Sequence, residues 1–131
     1  MDRKTIRVAA AVIINGHRIL AAQRSYGSFA GGWEFPGGKL EDGETGWQAC
    51  VREIREELEV TIGSGSHFMT VEYDYPEFHL SMECFTCHII EGTLHLHAHS
   101  HLKWVSKDEL SSIQWLPADV EVAKKLTQLF E

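Results

Sequence analysis

The period of apolar and polar positions changes several times along the chain, and each change marks an element. Residues 7–14 form a run rich in Val, Ile and Ala, which reads as a buried strand. Asn15-Gly16 follows it, a strong hairpin signal, so residues 18–23 are the partner strand. Residues 25–32 are a glycine-containing loop. Trp33-Glu34-Phe35 is a short extended piece that Pro36-Gly37-Gly38 stops. Between residues 45 and 58 the period becomes helical, and Trp47, Cys50, Val51, Ile54 and Leu58 make one apolar stripe. Strands are predicted over 67–75 and 79–90, with Pro76-Glu77 in the turn between them. Glu91-Gly92 then turns the chain into a polar segment, 93–101, and Trp104-Val105 is a short strand. Ser106 with Glu109 has the spacing of a capping box for a short helix. A final amphipathic helix covers 117–130, with Pro117 suited to its first turn. Strands around one strong central helix, closed by a second, predict an α/β or α+β sandwich.

The length, 131 residues, fits a single domain spanning 1–131, large enough to bury a core without staples. The formal net charge of −7 argues against coating a nucleic-acid polymer, whose binders carry a basic stripe. A phosphorylated small molecule remains compatible with an acidic protein if cations intervene. Cys50, Cys84 and Cys87 are too few and odd in number for a disulfide framework. The N-terminal apolar run is too short for a membrane span and lacks the layout of a signal peptide. A reducing, cytoplasmic setting is expected.

The chemistry concentrates in residues 38–57. At about 100° per residue, Glu53, Glu56 and Glu57 fall within roughly one third of the helix surface, apart from the apolar stripe. Carboxylates crowded on one face repel each other, and a divalent cation relieves the crowding. Mg²⁺ is hard and prefers carboxylate oxygens, waters and substrate phosphates. The acids lie just beyond a glycine-rich loop, where the backbone can approach a ligand closely. Arg52 can reach back toward Glu44 and fix the acidic cluster. A solvated helix with an Arg52–Glu56 pair is the alternative that the face alone leaves open.

The spacing Gly38, Glu44, then Arg52-Glu53-Ile54-Arg55-Glu56-Glu57 and Val60 resembles the Nudix box. Trp33-Glu34-Phe35-Pro36-Gly37-Gly38-Lys39 is similar to the approach to that box in MutT-like members, and Trp115-Leu116-Pro117-Ala118-Asp119 extends the likeness toward the C-terminus. The resemblance implies a Nudix α/β/α sandwich with a mixed, curved sheet between helices. It implies that Glu53, Glu56 and Glu57 bind catalytic Mg²⁺ (Mn²⁺ being the alternative ion), assisted by a backbone carbonyl of Gly37 or Gly38. Glu53 is then the candidate for activating water, Glu44 an auxiliary acid, and Arg52 the residue that orients the glutamates. Arg24 and Lys39 are candidates for phosphate contact. In MutT-like relatives water attacks the β-phosphorus of a nucleoside triphosphate, and a monophosphate and pyrophosphate are released.

Two positions depart from the family pattern. Glu59 stands where the box has glycine, at a helix end that favours a left-handed conformation. Ala98 stands where many relatives place a further metal-binding glutamate before a histidine, leaving His97 or His99 as substitutes. For the base, Asp119 matches a position that reads the base edge in MutT-like relatives. An ionised carboxylate only accepts hydrogen bonds and so prefers exocyclic amines such as cytosine N4, although guanine also offers donors. An acid in a first helical turn is also stabilising by itself. Phe78 and Tyr75 are candidates either for stacking the base or for ordinary packing. The resemblance is nearest to the CTP pyrophosphohydrolase branch.

His95, His97, His99 and His101 alternate, and would share one face if extended; they are read as a polar strand and loop near the site, with transition-metal binding as the alternative. Cys84 and Cys87, three apart in a strand, point to opposite faces and are read as structural, and Cys50 as a small buried hydrophobe. Two other functions remain open from sequence: hydrolysis of another nucleoside diphosphate derivative, and a non-catalytic nucleotide-sensing module. The base, the number of ions and the choice between monomer and homodimer are not fixed by the sequence.

Overall fold

In the computed structural model, which describes residues 3–129, strand β1 (Lys4–Asn15) is the axis of the molecule. From Ala9 to Ile13 it is buried on both faces, which is why its sequence there has no polar break. Ala10 and Val12 point into one apolar cluster, and Ala9, Ala11 and Ile13 into the other. The Asn15-Gly16 hairpin returns the chain as β2 (Arg18–Arg24), with Gly16 at φ 63°. Beyond it come β3 (Trp33–Glu34), β4 (Gly37–Lys39), helix α1 (Gly46–Leu58), β5 (Val60–Asp74), β6 (Phe78–Gly92), β7 (His99–Ser106), the short α2 (Lys107–Leu110) and α3 (Pro117–Leu129).

The sheet is mixed, as expected. β1 runs parallel to β6, from Lys4↔Phe78 to Ile13↔Cys87, while its pairings with β2 and β4 are antiparallel. β2 lies between β3 and β7, and β5 pairs with β6. The helices cover opposite faces. Ala49, Cys50, Ile54 and Leu58 of α1 pack on one side with Ile13, Leu20 and Cys87. Val122, Ala123 and Leu126 of α3 pack on the other with Val12, Ile19 and Cys84. Cys84 and Cys87 therefore serve different cores, as their spacing in a strand requires. Burial pushes both thiols up to about 12, leaving them unreactive at neutral pH.

Three boundaries differ most from the sequence reading. β5 begins at Val60 instead of residue 67, directly after α1. Its first half reads as a loop because Gly63-Ser64-Gly65-Ser66 has no apolar period; the ladder there is irregular, with Ser64 at φ 56°. Gly65 is required because a Cβ would lie 2.5 Å from the Trp47 ring. The Pro36-Gly37-Gly38 break runs into strand β4 (Gly37–Lys39), and β7 extends back to His99. Phe130, the expected last residue of α3, lies outside the described residues. No helix among the described residues is long and apolar enough to cross a membrane.

Candidate active site

α1 starts with a reciprocal cap: Gln48 N–H donates to Thr45 Oγ1 at 3.2 Å, and Thr45 N–H donates to Gln48 Oε1 at 2.9 Å. The cap fixes the helix's start, and so the rotation of the carboxylate face that follows. β4 then lays the Gly37-Gly38 backbone beside the middle of that helix. Gly37 is glycine because a Cβ would lie 1.9 Å from Ala9 O, where β4 pairs with β1. Gly38 is glycine because a Cβ would lie 2.3 Å from the Glu53 carboxyl. The bare backbone thus brings Glu53 against the loop.

Arg52 organises the acids. Its Nε and Nη2 donate to the two oxygens of Glu44 at 2.8 and 2.9 Å. Nη1 donates to Glu53 at 2.8 Å and to Glu56 at 3.3 Å, and Nη2 also donates to the Lys39 carbonyl at 2.9 Å. Glu44 accepts in addition from Glu41 N–H at 2.8 Å. These bonds, those of Arg52 first, hold Glu44 down to about 2. With both oxygens committed, Glu44 serves as the anchor of Arg52, and a planar, five-donor guanidinium is the group suited to such a hub.

Glu57 is different. Its Oε2 is buried with no hydrogen-bond partner. Burial pushes its carboxyl up to about 7; neighbouring Glu53, Glu34 and Glu56 raise it further and His99 opposes them. An orphaned carboxylate oxygen amid like charges is a place that a cation satisfies. Among the described residues no three His, Cys, Asp or Glu side chains are already gathered as a closed metal cage. Arg52 holds Glu53 and Glu56, and Mg²⁺ in phosphate-transfer sites takes only one or two carboxylates plus waters and substrate oxygens.

Glu57, Gly37, Gly38 and Lys39 line a cavity of about 950 Å³, and Tyr75, Phe78 and Asp119 also line it. Tyr75 and Phe78 stack with centroids 4.9 Å apart, and Phe29 leans on Tyr75 at 5.8 Å. Both ring candidates of the sequence reading are therefore at the cavity, as are Arg24 and Lys39. Arg24 is already engaged: its Nη2 donates to Glu34 Oε1 at 2.7 Å and its Nη1 to Ser28 O at 3.0 Å.

Comparison with known proteins decides the family. The NUDIX domain model matches residues 4–129. The chain belongs to the Nudix family. It is 35% identical to the CTP pyrophosphohydrolase of Escherichia coli K12 over 96% of this chain and 94% of that protein. It is 44% identical to the 8-oxo-dGTP diphosphatase of Proteus vulgaris over 65% of this chain and 78% of that protein. The solution structure of the E. coli ORF135 protein superposes with a TM-score of 0.84 at 34% identity, covering 98% of this chain and 92% of that one. This Nudix chain is accordingly a hydrolase of phosphoric anhydrides.

Asp119 lies in the first turn of α3, as expected, but not as a solvated acid. It is buried, 5% exposed, and its Oδ1 accepts from Phe35 N–H at 3.0 Å. Burial pushes its carboxyl up to about 8, with Glu34 adding to the rise and the Phe35 bond opposing it. The shift favours the protonated form, which can donate as well as accept.

The sequence reading missed Glu34. It is brought to the cavity by strand pairing alone: β2 lies between β3 and β7, so Glu34, Arg24 and His99 meet. His99 Nε2 is 2.9 Å from Glu34 Oε2. The other histidines of the run go elsewhere: His97 to Glu59 at 2.6 Å, His101 to Gln23 at 2.9 Å, and His95 to the Thr93 carbonyl at 2.7 Å. They diverge because residues 93–98 are not extended strand.

Proposed function

We propose that this Nudix hydrolase cleaves a nucleoside triphosphate to a monophosphate and pyrophosphate, acting on CTP- or dCTP-type nucleotides or on oxidised ones such as 8-oxo-dGTP. One observation carries the reading: a single cavity joins an orphaned, crowded carboxylate and a bare glycine backbone to an aromatic wall and a buried acid. Phosphates suit the first pair of features and a base the second. The names of the relatives, a CTP pyrophosphohydrolase and an 8-oxo-dGTP diphosphatase, support the same substrate classes.

Glu53, Glu56 and Glu57, with the carbonyl of Gly37 or Gly38, would hold the divalent cation, Mg²⁺ in the first instance. The donor set is hard oxygen throughout, and Glu57 Oε2 lacks any other partner, so the site fits it. When bound, the cation supplies neutralisation of the phosphate oxygens. Arg52 fixes the carboxylates before substrate arrives, so no reorganisation is needed at reaction. Glu53, pressed on Gly38, takes the proton of the attacking water. The water oxygen bonds to the β-phosphorus, the α–β bridge breaks, and its electron pair leaves on the α-phosphate. Lys39 and Arg24 meet phosphate oxygens. Tyr75 and Phe78 hold the base by stacking. Neutral Asp119 pairs an O–H donor and a carbonyl acceptor with either the N3/N4 edge of cytosine or the O6/N1 edge of an oxidised guanine.

A pyrophosphate-release screen with Mg²⁺ tests the proposal, using CTP, dCTP, 5-methyl-dCTP, 8-oxo-dGTP, 2-hydroxy-dATP, the ordinary nucleotides and ADP-ribose. The expected result is release from one or a few of the triphosphates. Turnover of ADP-ribose alone would move the substrate to the diphosphate-linked class. Binding of a nucleotide without any turnover would make the cavity a sensor.

A further inference from the structure

Glu59 closes α1 in a left-handed conformation, at φ 61° and ψ 31°. That region is unfavourable for any residue with a Cβ, and glycine is its ordinary occupant. The helix end does not use the Glu59 side chain: the cap is the Glu59 N–H, which donates to Arg55 O at 3.1 Å. Strain of this kind persists where the surroundings impose it, and here the side chain is engaged elsewhere.

The Glu59 carboxylate reaches the segment 93–98 that joins β6 to β7. Its Oε2 is 2.6 Å from His97 Nε2, and its Oε1 is 3.9 Å from His95 Nδ1. His95 N–H donates to Leu58 O at 3.0 Å. Gly92, at φ +98°, brings the two backbones so close that a Cβ on it would lie 2.7 Å from Glu59 O. The far end of the segment is tied as well. Ser25 Oγ donates to Ala98 O at 2.6 Å. The next residue, His99, has a side chain only 4% exposed; it lies 2.9 Å from Glu34, and its Nδ1 is buried without a partner. Glu34 in turn holds Arg24 at 2.7 Å. A continuous series of contacts therefore runs from the end of the glutamate-bearing helix to the arginine at the cavity.

We propose that Glu59 is a positioning residue: paired with His97, it straps segment 93–98 to the end of α1 and thereby sets the His99–Glu34–Arg24 group in the wall of the nucleotide cavity. The inference rests on the hydrolase reading of that cavity. It gives Glu59 a task that glycine cannot perform, and it explains why a strained glutamate stands there.

The test compares wild type with Glu59→Gly, Glu59→Gln, His97→Ala and the Glu59→Gly/His97→Ala double variant. The readouts are melting temperature, the ring ¹⁵N–¹H resonances of His99, and kcat and KM with Mg²⁺ and the best triphosphate of the screen. Glu59→Gly should melt no lower than wild type, because glycine suits the left-handed position. It should nevertheless shift the His99 resonances and lower kcat/KM about tenfold, the scale of a small misplacement near the chemistry. Glu59→Gln, which can still accept from His97, should recover most of that loss. The double variant should be no worse than the poorer single one, since both remove one strap. Unmoved His99 resonances in Glu59→Gly, or additive losses in the double variant, would overturn the proposal. If the wild type hydrolyses no triphosphate while the resonances still shift, the strap stands and the hydrolase reading fails instead.

Discussion

Replacing Glu53 with Gln is expected to lower turnover at least about 100-fold, the scale for losing a base or a metal ligand, while the fold stays intact. The amide keeps an oxygen for the 2.8 Å bond from Arg52 Nη1 and the volume that rests on Gly38. It relieves repulsion on Glu57 while giving up the charge that faces Arg52, two effects that oppose each other. What disappears is the group proposed to accept a proton and to bind the cation. Thermal melts and kinetics on the same preparations separate the two effects. A variant that melts like wild type and turns over within a few-fold of it would remove Glu53 from both roles.

The second large effect concerns pH. Asp119 has its ordinary value near 3.8 when unfolded and about 8 when folded. Between those values the folded state keeps a proton that the unfolded state has released. Stability therefore falls as pH rises from about 4 to about 8, by at most about 1.4 kcal/mol per unit, and the slope ends once the folded group also ionises. Glu57, raised to about 7, adds to the fall in the same direction over the lower part of that range. Asp119→Asn keeps the oxygen that accepts from Phe35 N–H and cannot ionise. Denaturant melts in EDTA should find the variant close to wild type near pH 4 and more stable at pH 8–9, by on the order of 2–4 kcal/mol. Parallel stability profiles for the two proteins would show that Asp119 does not carry a buried proton.

How far the molecule was legible in its sequence follows from the range of the interactions. α1 was legible because its apolar stripe and its acids are local and periodic. β1 and its hairpin were legible because Asn15-Gly16 interrupts a run with no polar break. The first half of β5 was not, since Gly63 to Ser66 have the composition of a loop and become strand only by pairing with β6. β4 was hidden for a related reason: Gly37-Gly38 signals a break, and only the neighbouring Ala9 backbone and the Glu53 carboxyl show why two glycines lie in a strand. Within the site, the Arg52–Glu44 contact was anticipated because it spans one helix and the turn before it. The meeting of Glu34 with His99 was not, because those residues are 65 apart and share only β2 as a neighbour. The raised carboxyl of Asp119 was not legible because burial is a tertiary property: an acid at a helix N-terminus reads as solvated until Phe35 and Cys84 are seen around it.

Glu59 shows the same limit from the other side. Its departure from glycine and its left-handed backbone were both visible as expectations. What the side chain does was not, because His97 lies 38 residues away and reaches it across a segment without regular structure.

We propose that a nucleoside triphosphate is hydrolysed at the carboxylates of α1 with a divalent cation. Phosphorus NMR follows the products from CTP and 8-oxo-dGTP, with Mg²⁺ and then with EDTA, for wild type beside Glu53→Gln. The proposed reaction yields monophosphate and pyrophosphate in equal amounts from at least one of the two, with Mg²⁺ only, and little from the variant. Orthophosphate as the product, or turnover that survives both EDTA and the loss of Glu53, would contradict it.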